Sequence, residues 1–187
     1  NKLTLETTKE IINQYFSFSK NYFYLVEGAD SRMGSFSCGL KKYEKLKDDD
    51  RDVIISLFDA NRPFLNKKQI ELLYNSAVKH GCSCPASPVV NGIAKTESDR
   101  IVDIPDKENF FEFVTPEFIK LSILKNSMES SESQYKSFVE YALASKISPK
   151  ICESGLLNIK LTYPNDKALL DHVAMENKFE KPKKQKN

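Results

Sequence analysis

Tryptophan is absent from this chain of 187 residues, histidine occurs twice, cysteine four times and glycine six times. Each shortage removes a class of chemistry. Two histidines cannot build a multi-histidine metal centre within one chain. Six glycines leave little material for phosphate-cradling loops. The P-loop, the dinucleotide glycine fingerprint, G-x-S-x-G, H-E-x-x-H and the kinase signature are all missing. Four cysteines at this length do not form a secreted disulfide framework, and no N-x-S/T sequon occurs. No apolar run approaches the roughly 20 residues that a bilayer-crossing helix needs. No signal-peptide pattern opens the chain, whose first residue is Asn rather than Met, so a trimmed leader stays open. Together these shortages predict a cytoplasmic, reducing location and no transmembrane segment.

What is present is ordinary for a folded domain: 40% hydrophobic and 29% charged residues, with twelve Phe and eight Tyr supplying bulk for a core. The net charge of +2 hides an uneven distribution. Residues 178–187 hold five Lys against one Glu, which leaves 23 basic and 25 acidic residues in 1–177. The reading is one domain over 1–177 and a basic, disordered tail over 178–187. A slightly acidic body lacks the basic patch of a nucleic-acid binder, so nucleic acid is not an expected partner.

Periodicity predicts helices over 5–17, from Val53 to Phe58, from Asn66 to His80, from Thr115 onward, around Tyr135–Ala142 and after Asn165. Asn66 is a natural cap for the third of these and Gly81 its natural stop. Thr115-Pro116-Glu117 reads as a cap, a first-turn proline and a first-turn acid. Strands are predicted at 21–26, 35–38, 100–104, 109–114 and 156–163. The pairs 21–26 with 35–38 and 100–104 with 109–114 read as hairpins. The fold class predicted is α+β, a mostly antiparallel sheet built from hairpins with about five to six helices packed on it.

The densest concentration of reactive side chains is His80-Gly81-Cys82-Ser83-Cys84, placed in a loop that Pro85 and Pro88 keep irregular. His80, Cys82 and Cys84, joined by Cys38 or Cys152, have the softness that zinc takes, although Cys-x-Cys is tighter than usual zinc spacing. As a nucleophile, Cys82 sits poorly, because the negative end of the preceding helix raises a thiol pKa. No cofactor is expected from the sequence, with zinc at His80, Cys82 and Cys84 as the one alternative. The acids Asp99, Asp103, Asp106, Glu108 and Glu112 cluster around the second hairpin, where a solvated face is the simpler reading, with Asp106 serving the turn.

Surfaces remain. Tyr22, Phe23 and Tyr24 run consecutively, so at least one leaves a one-sided core, and Phe110 and Phe111 repeat the pattern. Tyr22, Tyr24, Phe110 and Phe111 are therefore candidate anchors for a protein partner. The sequence alone points to a non-catalytic interaction module, an adaptor or subunit of a cytoplasmic assembly. A small zinc- or thiol-dependent protein centred on residues 80–84 is the alternative.

Overall fold

The computed structural model describes residues 2–16, 23–45, 53–130, 135–153 and 158–176. Its contacts gather into two compact units, residues 1–49 with 161–187 and residues 50–160. Tyr22, the run 48–52 and the tail 178–187 lie outside the described residues.

The first unit is helical where it is regular. Helix α1 spans Lys2–Tyr15 and α2 spans Arg32–Glu44, started by Ser31, whose Oγ accepts the Gly34 N–H at 3.0 Å. The Ser35 hydroxyl folds the approach to α2 back on itself. It accepts the Ala29 N–H and donates to the Ala29 carbonyl, both at 3.0 Å. A Cβ on Gly28 would lie 2.6 Å from that hydroxyl oxygen, so glycine admits the close approach. Ser35–Cys38, expected as a return strand, is thus helical, and residues 23–29 carry no regular structure. Their local alternation is outweighed by a helix that Ser31 caps. Helix α6, Lys167–Glu176, follows a 3₁₀ turn in which the Asp166 carboxylate accepts the N–H groups of Thr162 and Tyr163. These two bonds hold the Asp166 carboxyl below its ordinary pKa.

The second unit is built on a sheet. Strand β1 is Ile54–Leu57 and helix α3 is Lys67–His80. Strands β2 (Cys82–Pro88), β3 (Lys95–Glu97), β4 (Arg100–Asp103), β5 (Phe111–Phe113) and β6 (Glu117–Lys120) follow. Helices α4 (Leu121–Ser130) and α5 (Phe138–Ala144) and strand β7 (Lys150–Glu153) complete it. The pairings β1–β6, β2–β6, β2–β5 and β3–β4 are antiparallel and β2–β7 is parallel. The fold is α+β with six α-helices among the described residues and mostly antiparallel pairing, as the sequence predicts.

Strands β5 and β6 are two halves of one line. Both pair with the edge of β2 opposite β7, because Ser83 and Ala86 each already have a β7 neighbour. From Ser83 to Ala86, β2 advances three residues while its partner goes from Phe118 back to Phe113, five residues. Val114, Thr115 and Pro116 form the bulge between them, and the Thr115–Pro116 bond is cis. Pro85 fits inside this central strand because its carbonyl accepts the Val114 N–H at 3.0 Å while the irregular neighbour asks no donor of it. The expected loop after Gly81 is therefore the middle strand of the sheet. The expected helix start at Thr115 is the bulge and β6, since Glu117–Lys120 is held on both sides by β1 and β2. The run Val53–Phe58 holds a strand rather than a helix for the same reason: its β-branched residues find a ladder on β6. The expected hairpin of 100–104 with 109–114 does not form. β4 takes β3 as its neighbour and β5 takes β2, while Asp106 caps a short turn by accepting the Glu108 N–H.

Local signals do fix α3. The Asn66 side chain accepts the Gln69 N–H at 2.9 Å, and Gly81 ends the helix at φ 89°. The apolar stripe of α3 buries Leu73 and Ala77 against Phe118 and Cys152, with Ile54 and Ile70 at the margin. Each large apolar side chain so buried contributes about 1.5–3 kcal/mol. Ser83 joins this face by donating to the Leu73 carbonyl at 2.6 Å. Helices α4 and α5 cover the opposite face, where Phe138, Leu121 and Leu124 are fully buried. There Glu117 Oε2 accepts the Val139 N–H at the start of α5.

Candidate active site

Because β6 runs against both β1 and β2, and β7 runs with β2, the strands β1, β2 and β7 all point the same way. Their carboxyl ends, and the start of β6, share one edge. In open α/β sheets ligands bind outside the carboxyl ends of the parallel strands, which makes this edge the first place to look. The residues there are not those the sequence singles out.

Beyond β1, Asp59-Ala60-Asn61-Arg62 makes a turn closed by the Arg62 N–H on the Asp59 carbonyl at 3.1 Å. The turn carries both side chains to one side, and Arg62 Nε lies 3.5 Å from Asp59 Oδ2. Lys160 Nζ approaches the same oxygen at 3.8 Å. Arg62 Nη1 also donates to the carbonyl of Asn158 at 2.8 Å, and Asn158 Nδ2 donates to the carbonyl of Thr115 at 2.8 Å. A carboxylate, a guanidinium and an ammonium thus meet beside the bulge. The Asp59 and Arg62 side chains are 19% and 10% exposed, while Lys160 is 48% exposed. Two cations on one carboxylate leave the cluster positive by one charge, which suits an anionic ligand, and Lys160 is the cation with room to move toward it.

The residues expected to carry function are elsewhere. His80 is exposed in the last turn of α3. Cys82 and Cys84 are buried in β2, and burial pushes each thiol up to about 12, helped for Cys82 by the neighbouring Cys84 and for both by Glu117. A thiol held in that state is neither a nucleophile nor a ready metal ligand. Cys152 is buried on the α3 side with its Sγ 3.3 Å from the Ser76 hydroxyl, and Cys38 is half-buried in α2. No group of three or more His, Cys, Asp or Glu side chains placed to hold a metal occurs among the described residues. Tyr24 is exposed, with Lys42 Nζ 5.9 Å from its ring centre. Phe110 and Phe111 are exposed, as is Phe113.

Comparison with known proteins decides what kind of protein carries this edge. The family model for IspD, 2-C-methyl-D-erythritol 4-phosphate cytidylyltransferase, matches residues 4–176. The chain belongs to the IspD family. Among its relatives, the 2-C-methyl-D-erythritol 4-phosphate cytidylyltransferase of Thermosipho africanus is 30% identical over 174 residues, 90% of this chain and 76% of the relative. That of Bacillus pumilus is 31% identical over 157 residues, 79% of this chain and 65% of the relative. In fold, the chain resembles the IspD structure from Thermus thermophilus, with a TM-score of 0.66 at 18% identity over 80% of this chain and 72% of that one. The synthase from Anaerococcus prevotii gives 0.71 at 17% identity, over 91% and 76%.

Membership of the IspD family overturns the expectation of a non-catalytic interaction module or adaptor, since the family is one of nucleotidyltransferases. The zinc- or thiol-dependent alternative is overturned with it. The reading that leaned against an enzyme rested on missing catalytic signatures, and membership of a cytidylyltransferase family overturns it. Asp59, Arg62, Asn158 and Lys160 went unnoticed in the sequence, and Thr115 reads there only as a helix cap. The signal was Asp-x-x-Arg-Pro directly after an apolar run, together with Asn158 and Lys160 alternating with Ile159 in the run expected as a strand over 156–163. No helix among the described residues is long and apolar enough to cross a membrane.

Proposed function

We propose that this chain joins the cytidylyl group of CTP to the phosphate of 2-C-methyl-D-erythritol 4-phosphate. The nucleophile is a phosphate oxygen of the polyol phosphate. It forms a new P–O bond at the α-phosphorus of CTP as the bond to the β-phosphate breaks, and pyrophosphate leaves. A phosphate monoester is largely dianionic at neutral pH, so no proton has to be removed from the nucleophile. The reaction then asks the protein for position and for positive charge near the moving phosphates. The Asp59–Arg62–Lys160 cluster at the carboxyl edge of β1, β2 and β7 supports this reading. Lys160 offers its ammonium to a substrate phosphate and Asp59 accepts from a polyol hydroxyl. Arg62, spent on Asp59 and the Asn158 carbonyl, holds the two in register. CTP is an intracellular nucleotide, which supports a cytoplasmic place for the chain.

Phosphorus NMR of the purified chain with CTP and 2-C-methyl-D-erythritol 4-phosphate tests the reading. Paired diphosphate resonances of the product together with released pyrophosphate are expected, with Lys160→Met at least about 100-fold slower, a loss of some 2.7 kcal/mol of transition-state stabilisation. CTP left unchanged by the wild-type chain, or consumed equally well by the Lys160→Met chain, overturns it.

A further inference from the structure

Lys160 reaches Asp59 from a stretch that no secondary structure supports, since residues 158–163 are irregular up to a 3₁₀ turn. Within residues 158–160, two hydrogen bonds fasten that stretch to the sheet edge, and both belong to Asn158. Its side-chain Nδ2 donates to the Thr115 carbonyl in the bulge between β5 and β6. Its own carbonyl accepts from Arg62 Nη1. The amide is used by its donor end alone: Asn158 Oδ1 is buried without a hydrogen-bond partner. The fold thus tolerates an orphaned acceptor in order to keep one donor on Thr115, although an unsatisfied buried acceptor costs about 1–3 kcal/mol. Such a cost marks a residue kept for geometry rather than for stability.

We propose that Asn158 is a positioning residue: by pinning its segment to the Thr115 carbonyl it seats the Lys160 ammonium beside Asp59, where the transferring phosphates meet it. The proposal rests on the cytidylyl-transfer reading and adds a residue to it. Lys160 has four rotatable carbons between its backbone and its charge. With Asn158 anchored, the backbone origin of that side chain is set two residues away, and only the side chain itself remains to be ordered by substrate. With the anchor gone, the origin moves and the ammonium spends less time at the phosphate. Displacements of this kind cost about 10- to 100-fold in rate.

A double-mutant cycle between Asn158 and Lys160 separates positioning from general stability. Asn158→Leu keeps the size of the side chain and removes the donor. Asn158→Asp keeps its shape and sets an acceptor against the Thr115 carbonyl. Each is expected to lower kcat/KM for the polyol phosphate about 10- to 100-fold in the wild-type background. In the Lys160→Met background neither changes it more than about twofold, because the group being positioned is absent. Effects that multiply in the two backgrounds overturn the proposal, since a merely structural role lowers activity whether or not Lys160 is present. A wild-type chain that transfers no cytidylyl group overturns the activity reading by itself. The same proteins are then compared by calorimetry with inorganic pyrophosphate. Loss of affinity on Asn158→Leu only when Lys160 is present supports the proposal, and equal behaviour of all the proteins toward pyrophosphate overturns it.

Discussion

Arg62 donates to the main-chain carbonyl of Asn158 at 2.8 Å across 96 positions of sequence. This bond ties the turn after β1 to the segment that follows β7. The same guanidinium holds Asp59, so one side chain joins the two halves of the charged cluster.

Replacing Arg62 should therefore affect stability as well as turnover. Arg62→Met leaves Asp59 with Lys160 and removes the donor on the Asn158 carbonyl. A loss of about 1–3 kcal/mol is expected, because the Asn158 carbonyl loses its donor while Asp59 keeps Lys160. Urea unfolding checks this. Arg62→Lys should recover less than half of the loss, since an ammonium cannot reach the carboxylate and the carbonyl with a fork of fixed geometry.

The buried thiols of Cys82 and Cys84 predict a loss of stability at alkaline pH. Both are raised from 9.0 to about 12 by burial first and by neighbouring negative groups second. The folded chain keeps these protons where the unfolded chain gives them up. Their stabilising effect is complete below pH 9 and is lost as pH climbs from 9 toward 12. Each thiol contributes a slope of up to about 1.4 kcal/mol per pH unit in that window. Denaturation at pH 8 and pH 10.5 measures it, and the double variant Cys82→Ala, Cys84→Ala should show a flatter profile. A wild-type and double-variant pair with equal slopes would contradict the burial of these thiols.

Thiol labelling gives a simpler check of the same placement. With an aromatic disulfide reagent under native conditions, Cys38, half-buried in α2, should react first. Cys82, Cys84 and Cys152 should react only after denaturant is added.

Gly81→Ala should destabilise the chain by about 1–2 kcal/mol through the left-handed backbone that ends α3. The added Cβ would also lie 2.7 Å from Ile123 Cδ1, which must turn aside. Thermal unfolding monitored by circular dichroism reads the shift, and an unchanged midpoint would refute this account of the helix end.

Helix α3 was legible from residues alone because its determinants are local: the Asn66 cap, the apolar spacing of Ile70, Leu73 and Ala77, and Gly81. The fold class was legible for a similar reason, since composition and mixed element order speak for α+β. Pairing was not. Val53–Phe58 satisfies a helical spacing and a strand equally well over so short a run, and only the ladder on β6 chooses between them. Thr115-Pro116-Glu117 has every mark of a helix start, yet the chain needs those residues to pass from β5 to β6 along β2.

Function was misread for a chemical reason. Missing nucleophile motifs argue against an enzyme only when the protein must supply the attacking atom. In the proposed reaction the substrate phosphate attacks, and the protein supplies charge and position.

By itself, then, the sequence determined the cap and stop of α3, the class of fold and the want of any motif that carries its own nucleophile. Only the tertiary structure decided that Cys82 and Cys84 are core and that Asp59, Asn158 and Lys160 come together at one edge of the sheet. The physical reason is distance along the chain. A cap is made by residues three apart, whereas Arg62 meets Asn158 and Asn158 meets Thr115 only after the strands have aligned their ends at one edge of the sheet.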